Sequence, residues 1–150
     1  MAMSSINWSR VILGGLVAGV LINVVEALLN GVVLAKDWEV AMLALGRPPI
    51  VGSYIAVFFI WSFMLWGFLI GIFAVWLYAA ILPRYGAGPK TALYVGAFDW
   101  GLGYLLTSVA PFLLNLYPRR IFGLGLTVGL LEVLLATLIG AWLYREPKCA

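Results

Sequence analysis

Four long apolar runs constrain the fold of this chain more than any other feature. They cover about residues 9–34, 53–82, 91–114 and 121–144. Roughly 20 apolar residues in a helix cross a hydrocarbon layer of about 30 Å, so each run is long enough to span a membrane. The chain is only 10% charged, whereas soluble domains carry about 25% charged residues. These features predict an all-α protein, a four-transmembrane-helix bundle that forms one integral membrane domain over residues 1–150.

The segments between the runs contain turn-forming residues and charges. Proline and glycine in "PRYGAGPK" (83–90) predict a turn, and "NLYPRR" separates the last two runs. Between the first two runs, "AKDWEVAMLALGRPP" predicts a short helix in the membrane interface at about 37–46, ended by Gly46 and the Pro48–Pro49 pair. The first run is longer than the apolar part of a secretory signal, so it is predicted to be a retained helix.

The basic residues indicate an orientation. Four spans would place both termini on one side, together with five basic residues, whereas the other side would have four. This small excess predicts cytoplasmic termini. The basic residues stand singly or in pairs at the ends of the runs, as membrane anchors do. The net charge of +3 therefore indicates contact with membrane lipid and gives no reason to expect nucleic acid as a partner.

Small and polar residues form a stripe along one face of each predicted helix. At 100° per residue, Gly15, Gly19, Asn23, Glu26 and Asn30 fall within an arc of about 80°. Small residues let helices approach closely in lipid, so we expect the four stripes to face one another. The predicted helix-packing residues are Gly15, Gly19, Gly67, Gly71, Gly96, Gly103, Gly125 and Gly129. The other stripes contain Ser53, Ala56, Gly67, Gly71 and Ala74; Ala92, Gly96, Asp99, Gly103, Thr107 and Ala110; and Gly125, Gly129, Glu132, Ala136 and Gly140.

Three acidic residues, Glu26, Asp99 and Glu132, lie within the runs, and the one basic residue there, Arg10, stands at the very start of the first run. A charge that faces lipid costs several kcal/mol, so these side chains should point into a shared interior. Removal from water favours the neutral carboxyl, and at least one is expected to be protonated at neutral pH. The acids are otherwise expected to share protons, bind a cation or form hydrogen bonds with three polar residues of the stripes, Asn23, Asn30 and Thr107. The helical rise predicts a ladder of acids over about 10–12 Å.

Two roles for the acids remain open. Hydrogen-bonded acids can hold helices together in a packing, assembly or accessory component of the membrane, as a homo-oligomer or within a larger complex. Acids within a membrane also mark pathways for protons or small cations, and the alternative is a minimal translocating unit. The packing role is preferred because four helices are few for a transporter and the sequence shows no helix broken at mid-membrane.

Catalysis and cofactor binding have little support. The chain has no histidine, and its one cysteine, Cys149, is the penultimate residue. Histidine-ligated haem, zinc sites and thiolate clusters are therefore not expected. No phosphate-binding loop or nucleophile elbow occurs. The sequence predicts a protein without enzymatic activity, metal or cofactor. Packing or lipid contact is favoured over a pigment or quinone site for the deep tryptophans Trp61, Trp66 and Trp100.

Three segments also carry a resemblance to known sequences. They are "INWSRVILGGLVAGVLINVVE", "VWLYAAILPRYGAGPKTAL" and "GLLEVLLATLIGAWLYRE", which include the glutamates of the first and last runs. Together they resemble a family of small, uncharacterised bacterial integral membrane proteins with four predicted transmembrane helices. The resemblance extends over most of the chain and implies a bacterial inner-membrane location. It implies no activity.

Overall fold

The structure is a computed structural model that describes residues 6–48 and 54–145. All regular elements in this part are helical. They are α1 (Trp8–Leu28), continued by a π-helical turn (Leu29–Val33); α2 (Ala35–Ala44); α3 (Tyr54–Tyr85); α4 (Pro89–Trp100), continued by a second π-helical turn (Gly101–Leu106) into α5 (Thr107–Leu113); and α6 (Arg119–Leu143).

The prediction of an all-α membrane fold is met in part. Three helices are long and apolar enough to cross a membrane: Trp8–Val33, Ala56–Tyr85 and Arg119–Leu143. The third predicted span, 91–114, is instead two shorter helices, α4 and α5, joined by the second π turn. The backbone stays helical through this turn, with φ −58° and ψ −42° at Gly101, so this run is not broken in the way that transporter helices are. Ser53, Pro49 and Cys149 lie outside the described residues.

The long helices meet at the end of the molecule where the described chain begins and ends, here called the terminal end. Asn7, before α1, donates its backbone N–H to the hydroxyl of Tyr144, after α6, at 3.3 Å. The ring of Tyr144 packs edge-on against Tyr78 of α3, and the hydroxyl of Tyr78 accepts the N–H of Gly88. The buried side chains here come from α1, α3, α4 and the end of α6: Val11, Ala74, Val75, Tyr78, Ala79, Leu82, Ala92, Val95, Ala141 and Tyr144.

The opposite end is more open. Here α2 lies against the start of α6, with the rings of Trp38 and Tyr117 in edge contact at 5.2 Å. An ion pair joins Arg120 Nη1 to Asp37 Oδ2 at 2.7 Å. Every side chain of α3 from residue 57 to residue 66 is exposed. The first half of the described α3 is therefore uncovered at this end, whereas Leu34, Ala41 and Ile121 are buried together there.

The closest approach lies between α1 and α3, where the predicted glycine stripes meet. A Cβ built on Gly71 would lie 2.5 Å from both the carbonyl oxygen of Gly15 and the backbone nitrogen of Gly19. A Cβ on Gly67 would lie 2.6 Å from the side chain of Asn23. Only glycine fits at such distances, so these stripes bring the two backbones together.

Gly103 and Gly125 do not pack against another helix of the same chain, so the predicted packing role is wrong for these two glycines. A Cβ on Gly103 or Gly125 would meet no atom within 4 Å. Gly103 lies in the second π turn, whose i to i+5 bonding departs from the 100° spacing used to place it. Three residues before Gly125, the ring of Phe122 packs 5.4 Å from that of Phe112, so bulky side chains form the contact between α5 and α6.

Candidate functional site

A tyrosine hydroxyl lies between two glutamates where α1, α6 and the second π turn meet. The hydroxyl of Tyr104 lies 2.6 Å from Oε1 of Glu132 and 3.2 Å from Oε1 of Glu26. Both carboxyl groups therefore contact the same hydroxyl, which brings two acids of the predicted ladder together.

The proton count at this bridge constrains the state of the acids. A phenol has one hydroxyl proton, so Tyr104 can donate to only one of its two neighbours. If the second contact is also a hydrogen bond, the proton comes from a carboxyl group. The sequence has no His, and the arginines of the long apolar helices stand only at their ends, away from the acids along the chain. The bridge thus requires a protonated glutamate for both bonds to form.

Two further residues extend the hydrogen bonds from Glu26 to α2. Asn30 Nδ2 donates to Oε2 of Glu26 and, at 3.2 Å, to the backbone carbonyl of the same residue. Trp38 Nε1 on α2 donates to Oδ1 of Asn30 at 2.9 Å. The chain of contacts from α2 to α6 is called the polar cluster below; it comprises Trp38, Asn30, Glu26, Tyr104 and Glu132.

Both π turns contribute to the polar cluster. Asn30 lies in the first turn and Tyr104 in the second. π-helical residues make up well under 1% of globular proteins and occur often at functional sites. A glycine makes room for the Tyr104 ring, because a Cβ on Gly129 would lie 2.6 Å from ring atom Cδ1. Local backbone irregularity and a small neighbour together position the hydroxyl.

Two buried carboxyl oxygens have no hydrogen-bond partner among the described residues. They are Oε2 of Glu132, whose residue is 2% exposed, and Oδ2 of Asp99, whose residue is 6% exposed. A buried acceptor left without a donor costs about 1–3 kcal/mol. No described hydrogen bond joins Asp99 to the polar cluster. The structure therefore joins Glu26 and Glu132 and leaves Asp99 apart from them.

The remaining predicted polar residues do not contact an acid. Asn23 Nδ2 donates to the carbonyl of Gly19 at 2.9 Å and, across the helix interface, to the carbonyl of Met64 at 3.1 Å. Thr107 is exposed and donates to carbonyls of its own helical segment. Of the three polar residues named as alternatives for holding the acids, these two bond to backbone carbonyls and only Asn30 bonds to a carboxyl group.

Sequence reasoning missed two members of the polar cluster. Tyr104 lies in the second π turn, where the 100° spacing of an α-helix no longer applies. Trp38 lies in the segment predicted as an interfacial helix, where an aromatic side chain is expected to contact the membrane interface. A tyrosine in the middle of an apolar run was the available signal, because its hydroxyl needs a partner when buried.

Other features of the structure give no further site. In the described residues, no three or more His, Cys, Asp or Glu side chains are grouped so that they could hold a metal ion. Trp100 donates its indole N–H to the carbonyl of Leu126 at 3.0 Å, and Trp61 and Trp66 are exposed. No family model, curated protein or solved structure matches the chain.

Proposed function

We propose that the chain is an integral membrane protein of four spans in which the polar cluster transfers protons. The fourth span would be α4, the second π turn and α5 taken together. Four spans place both termini on one side, which we assign to the cytoplasmic face on the excess of basic residues. The resemblance of the sequence to small bacterial membrane proteins implies that the membrane is a bacterial inner membrane. The single observation that carries the proposal is the Tyr104 hydroxyl between Glu26 and Glu132.

The proposed step moves one proton between the two glutamates. Protonated Glu132 donates its Oε1 proton to the phenol oxygen of Tyr104. At the same time, the hydroxyl proton of Tyr104 passes to Oε1 of deprotonated Glu26. One O–H bond breaks and one forms at the phenol, so the tyrosine is neutral before and after the step. The reverse step uses the same three groups, and the direction follows the proton gradient.

A packing role explains the polar cluster less well than it explains Asn23. The amide of Asn23 bonds two backbone carbonyls and holds α1 against α3, as a residue that stabilises helix packing should. Glu132, by contrast, is buried with Oε2 unpartnered among the described residues. A residue selected only for packing would be less costly as an amide or an apolar side chain. An acid in this position supports a role that needs a titratable group.

Proton flux in liposomes tests the proposal. Purified protein is reconstituted, a pH gradient is imposed in the presence of valinomycin and potassium, and internal pH is followed with a trapped dye. Wild-type protein should dissipate the gradient faster than empty liposomes. Tyr104→Phe, Glu26→Gln and Glu132→Gln should each lower the rate at least tenfold, since each removes a group in the transfer step.

Tyr94→Phe is the matched control, because Tyr94 lies on α4 but is 51% exposed and outside the polar cluster. It should keep the wild-type rate. The proposal fails if wild-type protein carries no flux, or if folded Tyr104→Phe carries as much as Tyr94→Phe.

A second candidate function is self-association as an assembly component. The observation that favours it is the open space at Gly103 and Gly125, since small residues without a neighbour are what a partner helix uses in lipid. Gly103→Leu and Gly125→Leu should then reduce the mass of the protein–detergent complex, measured by light scattering. Ala97→Leu, at an exposed position of α4, is the control. An unchanged mass in both glycine variants would refute self-association through these positions.

A further inference from the structure

The Asn30 amide is held in one orientation by the indole of Trp38. An indole N–H can only donate, so the atom of Asn30 that receives it at 2.9 Å is the carbonyl oxygen Oδ1. The amide nitrogen Nδ2 must then point the other way, where it meets Oε2 of Glu26. Trp38 thereby determines which end of the amide faces the acid.

This orientation has a consequence for the proton on Glu26. An amide N–H that faces Oε2 leaves that oxygen to act as an acceptor. When Glu26 is protonated, its proton therefore resides on the other oxygen, Oε1. Oε1 is the oxygen 3.2 Å from the hydroxyl of Tyr104. With the amide reversed, its carbonyl oxygen would face Oε2 and hold the proton on the side away from the tyrosine.

We propose that Trp38 and Asn30 are positioning residues that direct the Glu26 proton toward Tyr104. The inference rests on the proposed proton transfer and adds α2 to the machinery that supports it. The indole acts on Asn30, Asn30 acts on Glu26, and neither residue carries the transferred proton. The short helix beside α6 thus serves to orient a carboxyl group inside the bundle.

Trp38→Phe tests the inference, with Trp100→Phe as the matched control. Both tryptophans are half-buried and both donate their indole N–H, but Trp100 donates to the backbone carbonyl of Leu126, outside the polar cluster. The readout is the infrared C=O stretch of the Glu26 carboxyl, recorded at a pH low enough to protonate it, in detergent without ester groups, and assigned by its loss in Glu26→Gln. Flux in liposomes is measured in parallel.

The band should shift in Trp38→Phe and stay in place in Trp100→Phe. Flux should fall about fivefold in Trp38→Phe, the factor equivalent to a net hydrogen bond of about 1 kcal/mol. Equal bands and equal fluxes in the two variants would overturn the inference while the proton transfer stands. A wild-type protein without flux, but with a band shift confined to Trp38→Phe, would end the transfer proposal and keep the orienting role.

Asn30→Leu provides a second route if Trp38→Phe does not fold. It removes the amide donor itself and should shift the same Glu26 band. A folded Asn30→Leu protein with the wild-type band would overturn the inference, because Oε2 would then not depend on the amide.

Discussion

Replacing Gly71 with alanine should destabilise the protein through the contact between α1 and α3. The added Cβ would lie 2.5 Å from the carbonyl oxygen of Gly15, 2.5 Å from the nitrogen of Gly19 and 2.9 Å from its Cα. All three atoms belong to the backbone, so no side chain can rotate away. Ordinary van der Waals contacts begin at 3.4 Å, and the two helices must therefore separate by about 1 Å.

The loss in the free energy of unfolding of Gly71→Ala is the difference between two opposing effects. A gap of about 0.5–1 Å removes a quarter to a half of the dispersion energy of each contact along the interface. Overpacking in a core typically costs about 1–3 kcal/mol, and a rigid backbone neighbour favours the upper end of that range. Alanine also gains about 1 kcal/mol over glycine in a helix. The net expected loss in the free energy of unfolding is about 2 kcal/mol.

Reversible unfolding in mixed micelles with increasing SDS, followed by tryptophan fluorescence, measures this loss. Gly123→Ala is the control, since Gly123 is a glycine of α6 with no atom within 4 Å of a built Cβ. It should stabilise the protein by about 0.5–1 kcal/mol. The two variants thus have opposite signs. A Gly71→Ala protein as stable as Gly123→Ala would refute the close approach of α1 and α3.

Three further predictions concern the site and the periphery. Gly129→Ala should push the Tyr104 ring away from the glutamates and lower proton flux in liposomes at least tenfold. Its loss of stability should be smaller than that of Gly71→Ala, and an unchanged flux would contradict the role of Gly129. Asp37→Asn should change the free energy of unfolding by less than about 1 kcal/mol, because its partner Arg120 is 58% exposed; a larger loss in SDS titration would contradict this. Thr137→Val should also be nearly neutral in that titration, since the buried hydroxyl bonds only to the Val133 carbonyl of its own helix; a loss above about 1 kcal/mol would show an unrecognised partner.

The helices could be predicted from the sequence because apolar length and turn residues determine them directly. The observed bounds lie within about three residues of the predicted ones in the described parts of the chain. The packing of Gly15, Gly19, Gly67 and Gly71 between α1 and α3 also follows from the stripe, because both helices are regular through these positions. Where the backbone is regular, the 100° spacing identifies the right face.

The site could be predicted only in part because the two π turns change that spacing. The stripe included Glu26, Asn30 and Glu132, which the polar cluster brings together. It placed Gly103 inward and omitted its neighbour Tyr104, which the second π turn directs to the glutamates. No residue pattern in the chain identifies a π turn in advance. The 100° spacing of an α-helix therefore could not show which way the side chain of Tyr104 points.

The central claim is that a protonated carboxyl group takes part in the Tyr104 bridge at neutral pH. The most direct measurement is the infrared C=O stretch of protonated carboxyl groups in the purified protein. The account predicts a band that disappears in the Glu26→Gln, Glu132→Gln double variant and shifts in Tyr104→Phe. A spectrum without such a band, or a band removed only by Asp99→Asn, would contradict it.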